Sequence, residues 1–377
     1  MAGHLLEPMF NPRGVAVFGA SERAGAVGTM VLENLRAAGF AGAIVPVNPK
    51  HQMVQGFACV PDLTHLDQPV DLAVIATPAT AVPGILRQCG LAGLKAVVIL
   101  SAGFGEGGEE DRSAGKRLMR ESLEIAQRYG MRLMGPNCLG IMRPAIGLNA
   151  TFSHNQAMPG KLALVSQSGA LVTAVLDWAQ SRGVGFSAIA STGDAADLDA
   201  AARMKPVIVL KSARHAAGSK AAATHTGALI GNDDAFDAAL TRAGVVRVER
   251  ITQWFSAAQI LASGLKLRGD QLLILTNGGG PGVMATDRAA DLNVPLANLS
   301  LETITALNQV LPATWSQSNP MDIIGDATAE RYAASLRIAL ADPQVDMVIV
   351  MLTPQAMTDP TACANAIIEV VRAQAAP

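Results

Sequence analysis

Along the first third of the chain, short unbroken apolar runs alternate with longer segments of mixed character. The runs occupy 14–20, 43–48, 72–77, 96–102 and 132–137, and each is apolar at successive rather than alternate positions. A strand of that kind is buried on both faces, as in a parallel sheet. The segments between them, such as AVGTMVLENLRAAGF (26–40) and SAGKRLMRESLEIAQRYG (113–130), end in glycine or just before a new run, the punctuation expected of helices. The pattern predicts one doubly wound α/β domain over residues 1–145.

The alternation restarts twice. KLALVSQSGALVTAVLDWAQSRGVGFSAIASTG (161–193) reads as strand, helix, strand, and KPVIVLKSAR (205–214) with the helices beyond it completes a second domain over 146–266. QLLILTNGGGPGVMATDRAADLN (271–293), NPMDIIGDA and VDMVIVMLTP form a third domain over 267–377, which stops after a helix that a further strand would normally cover. One junction is short. Between STGDAADLD and KPVIVLK only a few residues intervene, although consecutive parallel strands need a crossover of about a dozen or more.

Composition narrows the function classes. Half of the 377 residues are hydrophobic, 16% are charged and the formal net charge is −2, which offers no electrostatic footprint for nucleic acid or an anionic membrane. No apolar run reaches the ~18 residues of a membrane span, and the first residues lack the basic and apolar regions of a secretion signal. Cys59, Cys89, Cys138 and Cys363 are far apart with no CxxC pair, so neither a metal site nor a disulfide framework is expected. The chain reads as a cytoplasmic protein whose partners are small molecules or other proteins.

Three strand-to-helix turns are candidates for anion binding. VFGASERAGAVG places Gly19, Gly25 and Gly28 after the first strand, where bare backbone and a helix N-terminus suit a phosphate. The dinucleotide fingerprint is absent, and Asn48, Pro49 and Lys50 follow the second strand in place of an acid for a ribose hydroxyl. A phosphorylated ribose, as in coenzyme A or NADP, fits better than NAD; a turn built only for helix–strand packing is the alternative. SQSGAL (166–171) and NGGGPG (277–282) are the other two turns, and the first is equally an N-cap by Ser166 or Ser168.

His225 stands apart from the other histidines. AAATHTGALIG (221–231) surrounds it with small residues, whereas His4, His51, His65, His154 and His215 have larger or plainly solvated neighbours. A bare imidazole with a reference pKa of ~6.5 keeps a ring nitrogen free to attack phosphorus near neutral pH. Asp233 and Asp234 lie close by, but they read as acids at a helix start, favoured by the dipole.

The ordered set VFGAS, VNPK, GPNCLG, GKLALVSQSGAL, KPVIVLKSAR, THTGALIG, LTNGGGPGV and NPMD resembles the NDP-forming acyl-CoA synthetases, the superfamily of succinyl-CoA synthetase, over nearly the whole chain. GLNATFS and LDWAQSRGVGFS lean towards the synthetase-like region of bacterial GNAT-type protein lysine acetyltransferases. The resemblance implies a Rossmann-like CoA-binding domain followed by two flavodoxin-like domains, the last incomplete. It implies that His225 is phosphorylated in turn by acyl phosphate and ATP, with Ser166, Ser168 and Gly169 holding the phosphate. CoA would lie on Gly19, Ala20, Ser21 and Gly28 and near Asn48 and Lys50, with Pro136 and Asn137 lining its thiol end.

Family members also carry further elements at the short junction, including a strand whose glutamate orients the histidine. The nucleotide-binding ATP-grasp region is missing from this chain, so the implied activity is that of the α-like part of an acid–CoA ligase. Its expected partners are an ATP-grasp domain or β subunit with ATP/ADP and Mg2+, a small carboxylic acid, and an oligomeric assembly; an acyl-CoA-sensing module attached to a GNAT domain is the alternative.

Overall fold

The computed structural model describes residues 5–104, 109–193, 207–220, 233–264, 267 and 269–374. His225 and the short junction around 199/200 lie outside the described residues. The described chain forms two compact units, residues 1–264 and 265–377.

The first unit opens with the five strands that the apolar runs announce. They are β1 (Gly14–Phe18), β2 (Ala43–Val47), then, after a small hairpin of β3 (Met53–Val54) and β4 (Phe57–Ala58), β5 (Leu72–Ile75), β6 (Ala96–Ile99) and β7 (Arg132–Met134). All five pair in parallel in the order β2-β1-β5-β6-β7. Both faces are covered, which is why the runs show no alternation. Val15, Val17, Leu72, Val74 and Val98 face the helix Val27–Ala37, and Ala16, Phe18, Ala73, Ile75 and Val97 face the helices Val82–Leu91 and Glu109–Tyr129.

A hairpin not anticipated from the apolar runs follows: β8 (Gly140–Arg143) and β9 (Leu148–Thr151), turned by Gly147 at φ 67°. The expected boundary at 145/146 falls inside that turn. β8 pairs antiparallel with β11 (Phe186–Ser191), which pairs in parallel with β10 (Pro159–Ser166), giving a sheet in the order β10-β11-β8-β9. The hairpin also packs back on the first sheet. Ile141, Leu148 and Ala150 share a core with Val31, Leu32 and Leu35 of the helix Val27–Ala37, and Asn34 Nδ2 donates to Thr151 O and Ser153 O, both at 2.8 Å.

β12 (Ile208–Leu210) and β13 (Val246–Val248) pair in parallel as a separate two-stranded sheet. The helix Ile251–Ser263 packs against both β10 and β12. Among the described residues no strand pairs with the free edge of β10, where Val165 is 48% exposed.

The second unit holds β14 (Leu272–Thr276), β15 (Met321–Asp322) and β16 (Met347–Met351), all parallel in the order β15-β14-β16. Leu272 and Ile274 pack beneath the helix Gly279–Asp291, while Leu273 and Leu275 meet Trp315, Tyr332 and Leu336 on the opposite face.

Asn34→Ala removes the only side chain among the described residues that bonds Thr151 O and Ser153 O and leaves both carbonyls part-buried. The expected cost is about 1–3 kcal/mol, read as a lower urea midpoint at unchanged slope. A midpoint equal to wild type would show that the hairpin is not held by this residue.

Candidate active site

The carboxyl ends of parallel strands collect turns on one edge, and ligands bind where the strand order reverses. In the first sheet that point lies between β1 and β5. Gly19, directly after β1, has φ +86°, and a Cβ there would stand 2.5 Å from Ala76 O, just past the end of β5. Gly28 is buried in the first turn of the following helix, and a Cβ on it would stand 2.4 Å from Gly19 O. Gly19 thus keeps the crevice narrow at backbone level, while Gly28 serves the close seating of the helix.

The helix Val27–Ala37 has no side-chain cap and no acid in its first turn, so nothing of its own competes for its leading N–H groups. Ala20 is wholly buried and contributes only backbone. Asn48 Nδ2 donates to Ala20 O at 2.8 Å and Asn48 Oδ1 accepts from Lys50 N at 2.9 Å, which stitches the turn after β2 to the turn after β1. Lys50 is exposed, and Ser21 is held by Thr29, whose Oγ1 lies 2.7 Å from Ser21 O. Gly19, Ala20, Ser21, Gly28, Asn48 and Lys50 are therefore together at one edge.

The loop GPNCLG leads from this edge to the second sheet. Gly135 has φ +94° and would clash with Ile99 O at 2.2 Å if it carried a Cβ; Pro136 is buried, and Asn137 N donates to Ser101 O at 2.9 Å. Ser101 Oγ in turn donates to Thr77 O at 2.5 Å. Leu139 N donates to Ser191 Oγ at 3.0 Å, and Gly193 lies so close that a Cβ would stand 2.0 Å from Pro136 O. On the far side, a Cβ at Gly169 would stand 3.1 Å from Leu139 Cβ. The loop thus touches both the first-sheet crevice and the SQSGAL turn.

In that turn the serines are structural. Ser166 Oγ accepts from Ser168 N at 3.1 Å and lies 3.0 Å from Ser168 O, and Ser168 Oγ caps the helix Gly169–Gln180 by accepting from Leu171 N at 3.2 Å. With both hydroxyls so used, the Gly169 and Ala170 N–H groups are the first-turn donors that no side chain caps among the described residues. Thr276 repeats the device in the second unit: its Oγ1 accepts from Gly278 N at 3.0 Å and lies 3.1 Å from Gly278 O. There the helix has no side-chain cap, but a Cβ at Gly279 would lie 3.2 Å from Asp322 Oδ2. A carboxylate beside that turn opposes a second negative charge.

Two residues of the first unit's edge were not anticipated, Thr77 and Ser101. Among the described residues Thr77 Oγ1 is buried without a hydrogen-bond partner at the switch point, the kind of group a ligand would satisfy. The available signal was a hydroxyl residue placed directly after a strand-forming run.

Comparison with known proteins follows the same order. A CoA binding domain profile matches residues 13–144, a Succinyl-CoA ligase like flavodoxin domain matches 159–204 and 198–261, and a Ligase-CoA domain matches 272–377. The ADP-forming acetate–CoA ligase I of Archaeoglobus fulgidus is 41% identical over 390 aligned positions, covering 94% of this chain and 56% of that protein. Subunit alpha of the ADP-forming acetate–CoA ligase I of Pyrococcus furiosus is 37% identical over 402 positions, covering 96% of this chain and 86% of the subunit.

Those shares correspond to about 354 and about 362 of the 377 residues, so about 36 and about 40 aligned positions are not filled by this chain. The second profile matches in two stretches that overlap at 198–204, at the short junction. The structure of dinucleotide forming acetyl-coenzyme A synthetase 1 of Ca. Korarchaeum cryptofilum, in complex with phosphate and ADP, superposes with a TM-score of 0.89 at 31% identity, covering 98% of this chain and 87% of that one. The chain spans little more than half of the Archaeoglobus protein. In domain order, in sequence and in fold, this chain belongs to the NDP-forming acyl-CoA synthetase family.

Proposed function

We propose that the chain is the CoA-binding, phosphohistidine-bearing part of an acid–CoA ligase that interconverts acyl-CoA, phosphate and ADP with acid, CoA and ATP. The observation that carries this reading is the run of hydrogen bonds from Ser101 to Thr77 O and from Asn137 N to Ser101 O, continued by the close approach of Gly19 to Ala76 and of Gly169 to Leu139. It sets a narrow crevice suited to a phosphorylated ribose beside a capped helix end suited to phosphate.

In the synthesis of ATP, phosphate displaces CoA from the acyl carbon, so the C–S bond breaks and a C–O bond forms. The Gly169 and Ala170 N–H groups hold the resulting phosphoryl oxygens. A neutral ring nitrogen of His225 then attacks phosphorus, the P–O bond to the acyl group breaks, and the carboxylate leaves with its electron pair. Preorganised amide donors favour the charge that builds on phosphorus oxygens at that moment, which is how phosphoryl transfer is assisted. Phosphohistidine next passes the group to ADP. That last step takes place on an ATP-grasp domain or β subunit, where Mg2+ would neutralise nucleotide phosphate charge.

The crevice fits CoA on its own features: Gly19 admits close approach, Lys50 supplies a cation and Thr77 Oγ1 awaits a partner. An acetyltransferase-linked sensing role gains no support from the ligases to which the chain is similar. No described helix is long and apolar enough to cross a membrane.

Two substitutions separate the halves of the site. With the ATP-grasp partner and γ-labelled ATP, the wild-type chain should become labelled and His225→Ala should not, while calorimetry shows CoA binding unchanged; label that survives His225→Ala contradicts the phosphohistidine reading. Gly19→Ala forces a Cβ against Ala76 O at a position with φ +86°. It should weaken CoA binding roughly tenfold or more, about 1.4 kcal/mol, yet leave ATP-dependent labelling in place. Unaltered CoA affinity would remove the crevice from the CoA site.

A further inference from the structure

The turn between β1 and the helix Val27–Ala37 covers residues 19–26, and its carbonyls at Ala20, Ser21 and Arg23 are taken by the protein. Asn48 Nδ2 donates to Ala20 O at 2.8 Å. Thr29 Oγ1 stands 2.7 Å from Ser21 O and 3.0 Å from Arg23 O, and its one hydrogen is shared between them. Arg23 O also accepts from Ala26 N at 3.2 Å. Glu22, the one acid of the turn, is occupied as well: its Oε1 accepts from Gln55 N at 2.6 Å. Among the described residues, by contrast, no acceptor takes the N–H groups of Ala20, Ser21 and Glu22, or those of Val27 and Gly28 in the first helical turn.

Thr29 is the third residue of its helix and only 3% exposed. A threonine inside a helix can return its hydroxyl to the carbonyl four positions back. Thr173, Thr286 and Thr305 do so, bonding Gly169 O, Gly282 O and Leu301 O at 3.2, 3.0 and 2.7 Å. Thr29 instead reaches eight and six positions back, out of the helix and into the turn. The other two strand-to-helix turns also give a carbonyl to a hydroxyl, Ser168 O to Ser166 and Gly278 O to Thr276, but there the hydroxyl belongs to the last residue of the strand. In the first turn the strand ends in Phe18, which has no hydroxyl, and the helix supplies it. A peptide group can offer an anion its N–H or its C=O: a carbonyl left facing a phosphate repels it, whereas a run of N–H groups attracts it.

We propose that Thr29 is a positioning residue for coenzyme A: its hydroxyl holds the Ser21 and Arg23 carbonyls against the helix and so leaves the N–H side of the turn to the ligand's phosphates. The inference rests on the CoA reading of this crevice given above. Thr29 acts through the turn and touches no ligand atom. Its hydroxyl, rather than the bulk of its side chain, is what the role requires.

The test uses the full chain with its ATP-grasp partner. By calorimetry, Thr29→Val should raise the CoA dissociation constant roughly tenfold, while Thr29→Ser, which keeps the hydroxyl, should stay within about threefold of wild type. Thr29→Ala removes the hydroxyl without pressing a methyl group on the two carbonyls, and it gives the same comparison if Thr29→Val does not fold. In steady-state assays the KM for CoA should rise by the same factor, with kcat and the KM for ATP within about twofold of wild type. A merely structural loss would lower kcat through the active fraction and leave the KM for CoA in place. Wild-type CoA affinity without the hydroxyl, or an equal loss of affinity in Thr29→Ser, overturns the proposal. A wild-type chain that binds no CoA, or unaltered CoA affinity in Gly19→Ala, instead overturns the reading beneath it, and the proposal with it.

Discussion

Ser101 holds the site edge together. Its hydroxyl bonds Thr77 O at 2.5 Å and its carbonyl accepts from Asn137 N at 2.9 Å, which ties the end of β5 to the end of β6 and both to the loop GPNCLG. Those bonds matter because the loop leads from the first-sheet crevice to the capped helix at 169. Backbone carbonyls and amides in such a position must find partners, and here they find one another.

Glycine makes that edge possible. At Gly19, Gly135 and Gly193, a Cβ would meet a main-chain oxygen at 2.5, 2.2 and 2.0 Å, in each case with φ in the left-handed region. No other residue combines that conformation with that approach at low cost. The chemistry of the site is therefore mostly main-chain chemistry, with few side chains that carry charge.

Much of this was legible in the sequence, and for a physical reason. Strands buried on both faces must be apolar at consecutive positions, so 14–20, 43–48, 72–77, 96–102 and 132–137 declared the first sheet without help. The hairpin 140–151 was less visible: its strands are four residues each and lean on a neighbouring sheet and on Asn34, neither of which is local. Side-chain direction was not legible at all. Asn48 sits where the sequence placed it, but its amide is spent on Ala20 O, while Ser168 caps a helix and Ser166 bonds the Ser168 backbone. Asp233 looked like an ordinary helix-start acid because its partners Lys211 and Arg247 are 22 and 14 positions away.

The most direct measurement is a crystal structure of the chain with its ATP-grasp partner, CoA and phosphate. The account predicts the ribose phosphate of CoA over Gly19–Ser21 and a phosphate whose oxygens lie about 2.7–3.2 Å from the Gly169 and Ala170 nitrogens. CoA seated elsewhere, or phosphate bound away from the helix that begins at Gly169, would contradict it.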